Sequence, residues 1–215
     1  MNLELADKIG GRSVSSPLTP LGEEQAGLLG DFLKETLCEQ EIASASFYSS
    51  SAVRAVDTGR IVMEKLERDF EKECVLTDEL LELDMGLWEN QKRKECYTES
   101  VLQEIRKDVI RFKPPGGESQ LDVEERMMRF VVENVIKGAE ETGGIAIVFG
   151  HGLAIKCALR SILDSAPHMT RKIVLNNTSI TEVFYTPEHK AINADQAGWQ
   201  VMRVNDTSHL FRNSS

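Results

Sequence analysis

The stretch "AIVFGHGLAIKCALRSIL", residues 146–163, decides the fold. With Ile145 it opens on a continuous apolar, β-branched run, which reads as a strand buried on both faces of a parallel sheet. After Gly150, His151 and Gly152 the apolar residues recur at helical spacing, so the strand passes directly into a helix. His151 therefore stands at a helix N-terminus, where backbone N–H groups lack partners and the dipole is positive, a natural place for an anion. Gly152 would let a ligand approach the backbone closely. A histidine here can equally cap the strand end through a nearby carbonyl. A dinucleotide fingerprint also begins G-x-G after a strand, but Ile155 stands where the third glycine belongs.

The same strand–turn–helix pattern occurs upstream. "SFYSSS" is a short strand ending in small polar residues, and "AVRAVDTGRIVMEKL" is the helix after it. Before it, Thr19 and Pro20 have the N-cap and first-turn chemistry of a helix, with Leu21, Leu28, Leu29, Phe32 and Leu33 approximating its apolar face. Residues 75–90 look irregular, with a short strand expected around Leu80–Leu83, and residues 94–112 read as an amphipathic helix. "KPPGGES" is a turn, after which Ser119 caps a long helix closed by Gly143 and Gly144. "SITEVFYT" and "WQVMRVN" complete the strands. Alternating strands and helices predict an α/β fold: a three-layer sandwich with a mostly parallel central sheet and helices on both faces. Residues 1–205 read as one domain and residues 206–215 as a polar, frayed tail.

In such folds ligands gather at the carboxyl ends of the strands, where residues 48–54 and 150–152 both emerge. Arg54 at that edge can grip phosphate oxygens in bidentate fashion and stays charged at every working pH; its alternative is the solvated helix face expected for Arg60. Glu82, set among leucines in "LLELDMGLWEN", is either an edge charge or a carboxyl able to act as a general acid. Trp88 in the same stretch reads as a core anchor.

The 25 basic and 35 acidic residues give a net charge of -10, which argues against binding to nucleic acid or to an anionic membrane surface. Cys38, Cys74, Cys96 and Cys157 form no C-x-x-C pattern and read as reduced thiols, so a cytoplasmic protein without a metal is expected. No apolar run is long enough to span a bilayer.

"YSSSAVRAVDTG", "LLELDMGLWEN", "PPGGESQLDVEERM", "VFGHG" and "NNTSITEV", in this order, resemble the histidine phosphatase superfamily, and more narrowly its phosphoglycerate mutase-like branch. "GGRSVSSPLTPLGEEQA" is similar to the family segment that leads into its first helix. The resemblance implies phosphoryl transfer through a phosphohistidine, with no metal or other cofactor and a small phosphorylated metabolite as partner. By it, His151 stabilises the transferring phosphoryl group, Arg54 binds phosphate and Glu82 is the acid/base carboxylate. Arg12 falls near the substrate, and Asn177 and Ser179 lie in a segment that supports the pocket. His209 resembles a C-terminal element of some members. A homodimer is compatible with this reading.

One element of the family pattern is missing from the sequence. The nucleophile lies in an Arg-His-Gly motif at the end of the family's first strand, and none of His151, His168, His189 and His209 stands in one. Asn2 is similar to an asparagine that follows the motif. The expectation is therefore a family member lacking its first strand and nucleophile loop, with Met1 an internal methionine. Hydrolysis or mutase activity would belong to the complete form, and a non-catalytic phosphoester-binding protein is the alternative for this one.

Overall fold

The computed structural model describes residues 7–12, 15–142, 144–187 and 198–211. Helix α1 (Pro20–Thr36) begins as its sequence predicts, with Thr19 Oγ1 accepting the Gly22 N–H at 3.2 Å. The short α2 (Glu39–Ser44) leads into strand β1 (Ser46–Ser50), followed by α3 (Val53–Lys65), α4 (Phe70–Glu73) and β2 (Cys74–Thr77). Helices α5 (Arg93–Cys96), α6 (Glu99–Lys107) and α7 (Gln120–Phe130) precede a π-helical turn at Val131–Ile136 and then α8 (Lys137–Thr142). Strand β3 (Ala146–Phe149), α9 (Gly152–Ile162), α10 (Met169–Lys172), β4 (Ile180–Thr186) and β5 (Gly198–Asp206) complete the order.

Strands β2, β1 and β3 form a parallel sheet in that order, while β4 and β5 pair antiparallel. β1 shows how the layers arise. Successive side chains of a strand point to opposite faces, so Phe47 enters the core beneath α1 and α3 with Phe32, Val62, Met63 and Phe149. Its neighbour Tyr48 enters the core beneath α7 and α9 with Val123, Met127, Phe130 and Cys157. Helices thus cover both faces of the parallel sheet, and the sandwich predicted from the alternation of elements is observed.

Three local expectations are corrected. The strand falls at Cys74–Thr77 rather than around Leu80–Leu83. Thr77 Oγ1 accepts the Glu79 N–H and starts a 3-10 turn at Asp78–Leu80, and the carbonyls of Leu81 and Glu82 go to Arg126 instead of a sheet neighbour. Leu21 is 59% exposed, because the first turn of α1 extends beyond the core. Val148 is 37% exposed, since β3 has a partner only on its β1 side among the described residues; the outer edge of β4 is unpaired among them too.

The segment expected to be a frayed tail from residue 206 is ordered through Phe211. Asp206 ends β5, and Ser208–Phe211 form a 3-10 turn that buries His209 against the Phe32 ring at 5.8 Å. His209 Nε2 also pairs with Thr178 Oγ1 at 3.1 Å. Removing a buried ring with its hydrogen bond, as in His209→Ala, should cost about 2–3 kcal/mol in urea unfolding. A loss below about 0.5 kcal/mol, the scatter expected of a surface substitution, would show that this turn adds nothing to the fold.

Candidate functional site

The register of the parallel strands builds the site. Ser49 on β1 pairs with Phe149 on β3, so Ser50, the last residue of β1, and Gly150–His151, just beyond β3, come side by side. His151 Nε2 and Ser50 Oγ lie 2.8 Å apart, with Ser50 wholly buried and His151 7% exposed. Arg54 stands in the first turn of α3, directly after the serine-rich turn, and its Nη2 donates to the Gly11 carbonyl at 3.2 Å. Burial is the main influence on the guanidinium and lowers its pKa, while Glu82 and Glu89 act in the opposite direction.

Burial, reinforced by Arg54 and Arg126, pushes the His151 imidazole down from 6.5 to about 3. The ring is therefore neutral near neutrality. Its neutral form contributes stability that is present above the unfolded value of about 6.5 and is lost as pH falls from there towards 3.

Glu82 occupies the helix N-terminus that the sequence offered to an anion. Its Oε2 accepts the Leu153 N–H at 3.1 Å, and its Oε1 accepts the N–H groups of Ala154 at 3.0 Å and Leu83 at 2.9 Å. A carboxylate at the start of α9 complements the helix dipole. The cradle is thus filled by the chain itself, with three of the carboxylate's four lone-pair positions taken and one left on Oε2 where a proton could be held. A Cβ placed on Gly152 would meet open space, so that side of the helix start stays accessible.

Arg12 belongs to an acidic network. Its Nη2 donates to Glu118 Oε1 at 2.6 Å, its Nε to the Glu82 carbonyl at 3.3 Å, and its Nη1 lies 3.6 Å from Asp84. Its backbone N–H donates to Glu89 Oε1 at 2.6 Å. The chain approaches Glu89 so closely that a Cβ on Gly11 would stand 2.2 Å from Glu89 Oε1, and its φ of +149° also favours glycine there. His151, Glu82 and Arg54 therefore cluster at one sheet edge, with Arg12 joined to them through the Glu82 carbonyl. Asn177 is exposed and its carbonyl accepts its neighbour's Thr178 hydroxyl; among the described residues it shares no hydrogen bond with the other four. Asn2 lies outside the described residues, as do Gly143 and His189.

Two residues of the site escaped sequence reading. Ser50 was hidden in a run of three serines. Arg126, 8% exposed, donates to the carbonyls of Glu79, Leu81 and Glu82 at 2.6, 2.7 and 3.1 Å and to both Glu118 oxygens at 3.1 Å. It had one signal: it falls among Val123, Met127 and Phe130, on the buried stripe of α7. Trp88 packs against Tyr97 and Phe112, and Arg60 pairs with Glu71 and lies 5.4 Å from the Phe70 ring centre. Among the described residues no group of three His, Cys, Asp or Glu converges as metal ligands would, and no helix is long and apolar enough to cross a membrane. All four cysteines are free thiols.

Comparison with known proteins identifies the family and the fold. The chain is 29% identical over 212 residues to the probable phosphoglycerate mutase GpmB of Proteus mirabilis, covering 96% of this chain and 88% of that one. Among solved structures, a mycobacterial glucosyl-3-phosphoglycerate phosphatase in complex with inorganic phosphate has the same fold. Its TM-score is 0.74 at 21% identity, covering 94% of this chain and 93% of that chain. A mutant phosphoserine phosphatase from Entamoeba histolytica in complex with phosphoserine superposes with a TM-score of 0.72 at 22% identity, covering 96% and 92%. Residues 4–198 match the histidine phosphatase superfamily (branch 1), and the chain belongs to that family.

Proposed function

We propose that this chain carries the phosphate-recognition half of a phosphomonoester hydrolase site and takes a small phosphorylated metabolite. The convergence of Arg54, His151 and Glu82 at the carboxyl ends of β1 and β3 supports this reading most strongly. Arg54 supplies a permanent positive charge and planar donors for two phosphoryl oxygens. His151, neutral, supplies a hydrogen-bond donor rather than a second charge. Gly152 leaves the approach to the helix start open, and Arg12 steadies the Glu82 segment through its carbonyl. Asn177 is assigned to the outer wall of the pocket. The free thiols and the acidic surface favour the cytoplasm, and the net charge of -10 disfavours nucleic acid as a partner.

In the full reaction a histidine nitrogen attacks phosphorus, the ester oxygen leaves with a proton from Glu82, and water then cleaves the phosphohistidine. The sequence holds no Arg-His-Gly to begin that route. Arg54, His151 and Glu82 accordingly bind a phosphate ester and do not turn it over covalently. With a nucleophilic histidine in place, hydrolysis follows. The likeness to a protein named as a phosphoglycerate mutase supports a second reading, transfer of the phosphoryl group back to a substrate hydroxyl. That outcome needs the same residues and a pocket that excludes water.

Calorimetric titration with inorganic phosphate tests the pocket. Arg54→Ala should weaken binding about tenfold or more, the worth of a charge-assisted hydrogen bond, with little change in unfolding midpoint. Equal affinity would mean that the anion sits elsewhere. Affinity should climb as inorganic phosphate loses its second proton around neutrality, without the decline above about 6.5 that a required imidazolium would impose. Strongest binding at acid pH would contradict a neutral His151. In a form supplied with the nucleophilic histidine, Glu82→Gln should slow esters with poor leaving groups far more than activated aryl phosphates. Uniform slowing across leaving groups would remove the acid from Glu82.

A further inference from the structure

The contact between Ser50 and His151 holds more than proximity. Ser50 lies at the end of β1 with none of its surface exposed, so its hydroxyl has no solvent to turn to. The oxygen accepts the Ala52 N–H at 3.3 Å, and its only other neighbour at hydrogen-bonding distance among the described residues is His151 Nε2, at 2.8 Å. A hydroxyl carries one proton to give. If Nε2 held the imidazole proton, the Ser50 oxygen would accept twice and its own proton would be buried without a partner, an arrangement that proteins avoid.

We propose that Ser50 is a positioning residue that fixes the tautomer of His151: the Ser50 hydroxyl donates to Nε2, and the single ring proton stays on Nδ1. The surroundings of the ring agree. Arg54 on α3 and Arg126 on α7 both bring positive charge to it; of the carboxylates near its helix, Glu82 at the N-terminus spends both oxygens on backbone N–H groups, and Glu124 pairs with Arg160 further along. Protonating Nε2 would break the serine bond and add a third positive charge to a buried pocket. The pair is not a nucleophile with its base, because a wholly buried Ser50 oxygen offers no line of approach to phosphorus.

The consequence for ligand binding rests on the phosphate-pocket reading above. With its lone pair at Nε2 committed to Ser50, His151 can face a phosphoryl oxygen only as an Nδ1–H donor, and it has no lone pair left to take a proton from water or substrate. The serine on one strand end thus decides what the histidine on the neighbouring strand end can do.

Long-range proton–nitrogen correlation on the full chain labelled with nitrogen-15 histidine reads the tautomer directly. The His151 signals are identified by their loss in His151→Gln. At pH 7 the expected result is a protonated Nδ1 and an unprotonated Nε2. Ser50→Ala should abolish this preference or reverse it and weaken inorganic phosphate about fivefold, the worth of one hydrogen bond, while Ser50→Thr, which keeps the hydroxyl, should restore both. A protonated Nε2 in the unmodified protein overturns the proposal, as does an unchanged tautomer in folded Ser50→Ala. Should Ser50→Ala fail to fold, Ser50→Cys, with its weak donor, must show a partial loss of the preference; an unaltered spectrum there also overturns it. If the tautomer is as stated but phosphate does not bind, the pocket reading fails and the role of Ser50 stands.

Discussion

A buried guanidinium organises the part of this molecule that has no regular structure. Between the 3-10 turn at Asp78–Leu80 and α5 the chain forms no strand or long helix, so its carbonyls need partners from elsewhere. Arg126 supplies them, holding the carbonyls of Glu79, Leu81 and Glu82 from α7 while Glu118 balances its charge. A buried charge is tolerable only when it is paired and hydrogen-bonded, and here Glu118 pairs it and each guanidinium nitrogen has an acceptor. The orientation of Glu82 follows from this. Its backbone is fixed by Arg126 and Arg12, and its side chain reaches the first turn of α9.

That reach gives the site a built-in competition. Glu82 satisfies backbone donors that would otherwise attract an anion, so a phosphoryl group cannot use the Leu153 and Ala154 N–H groups while the carboxylate stays in place. In the proposed reading, recognition of phosphate then falls to the side chains around the helix start, with Arg54 carrying the charge and His151 the directed donor. That reading has the acid held close to the ligand without being the ligand's counter-charge. Arg54 and Glu82 also lie near enough to attract one another, so the permanent cation of the site helps to keep its carboxylate where it is.

What the sequence made legible was local. The Thr19 cap, the Ser119 cap and the strand-to-helix junction at His151 each depend on residues within a few positions of one another, and all three are found as read. The contacts that define the site are not local. Glu82 meets N–H donors 71 and 72 residues away, and Ser50 meets His151 across 101 residues. No periodicity encodes such pairs; they follow from strand register, which sequence spacing alone does not set. Arg126 is the intermediate case, visible as a charge on an apolar stripe but with acceptors that only the folded chain brings to it. The expected strand at Leu80–Leu83 failed for the same reason, because its apolar pattern satisfies a side chain–backbone network as well as it would a sheet.

The π-helical turn at Val131–Ile136 bears on how this protein tolerates changes of length. A wider turn adds one residue relative to an α-helix and rotates everything beyond it by about 100°. In this phase the Asn134 carbonyl accepts the Tyr48 hydroxyl at 3.3 Å. It also brings Gly138 over that hydroxyl, where a Cβ would stand only 2.6 Å from the oxygen. Tyr48 is thus seated by a helix that is out of step with the stripe of α7 that covers the rest of its core. Insertions and deletions along residues 120–142 are for this reason not equivalent. Loss of one residue within the π turn leaves Val123, Met127 and Phe130 facing the core but turns the glycine away from the tyrosine, so the phenol meets a side chain where it now meets a gap.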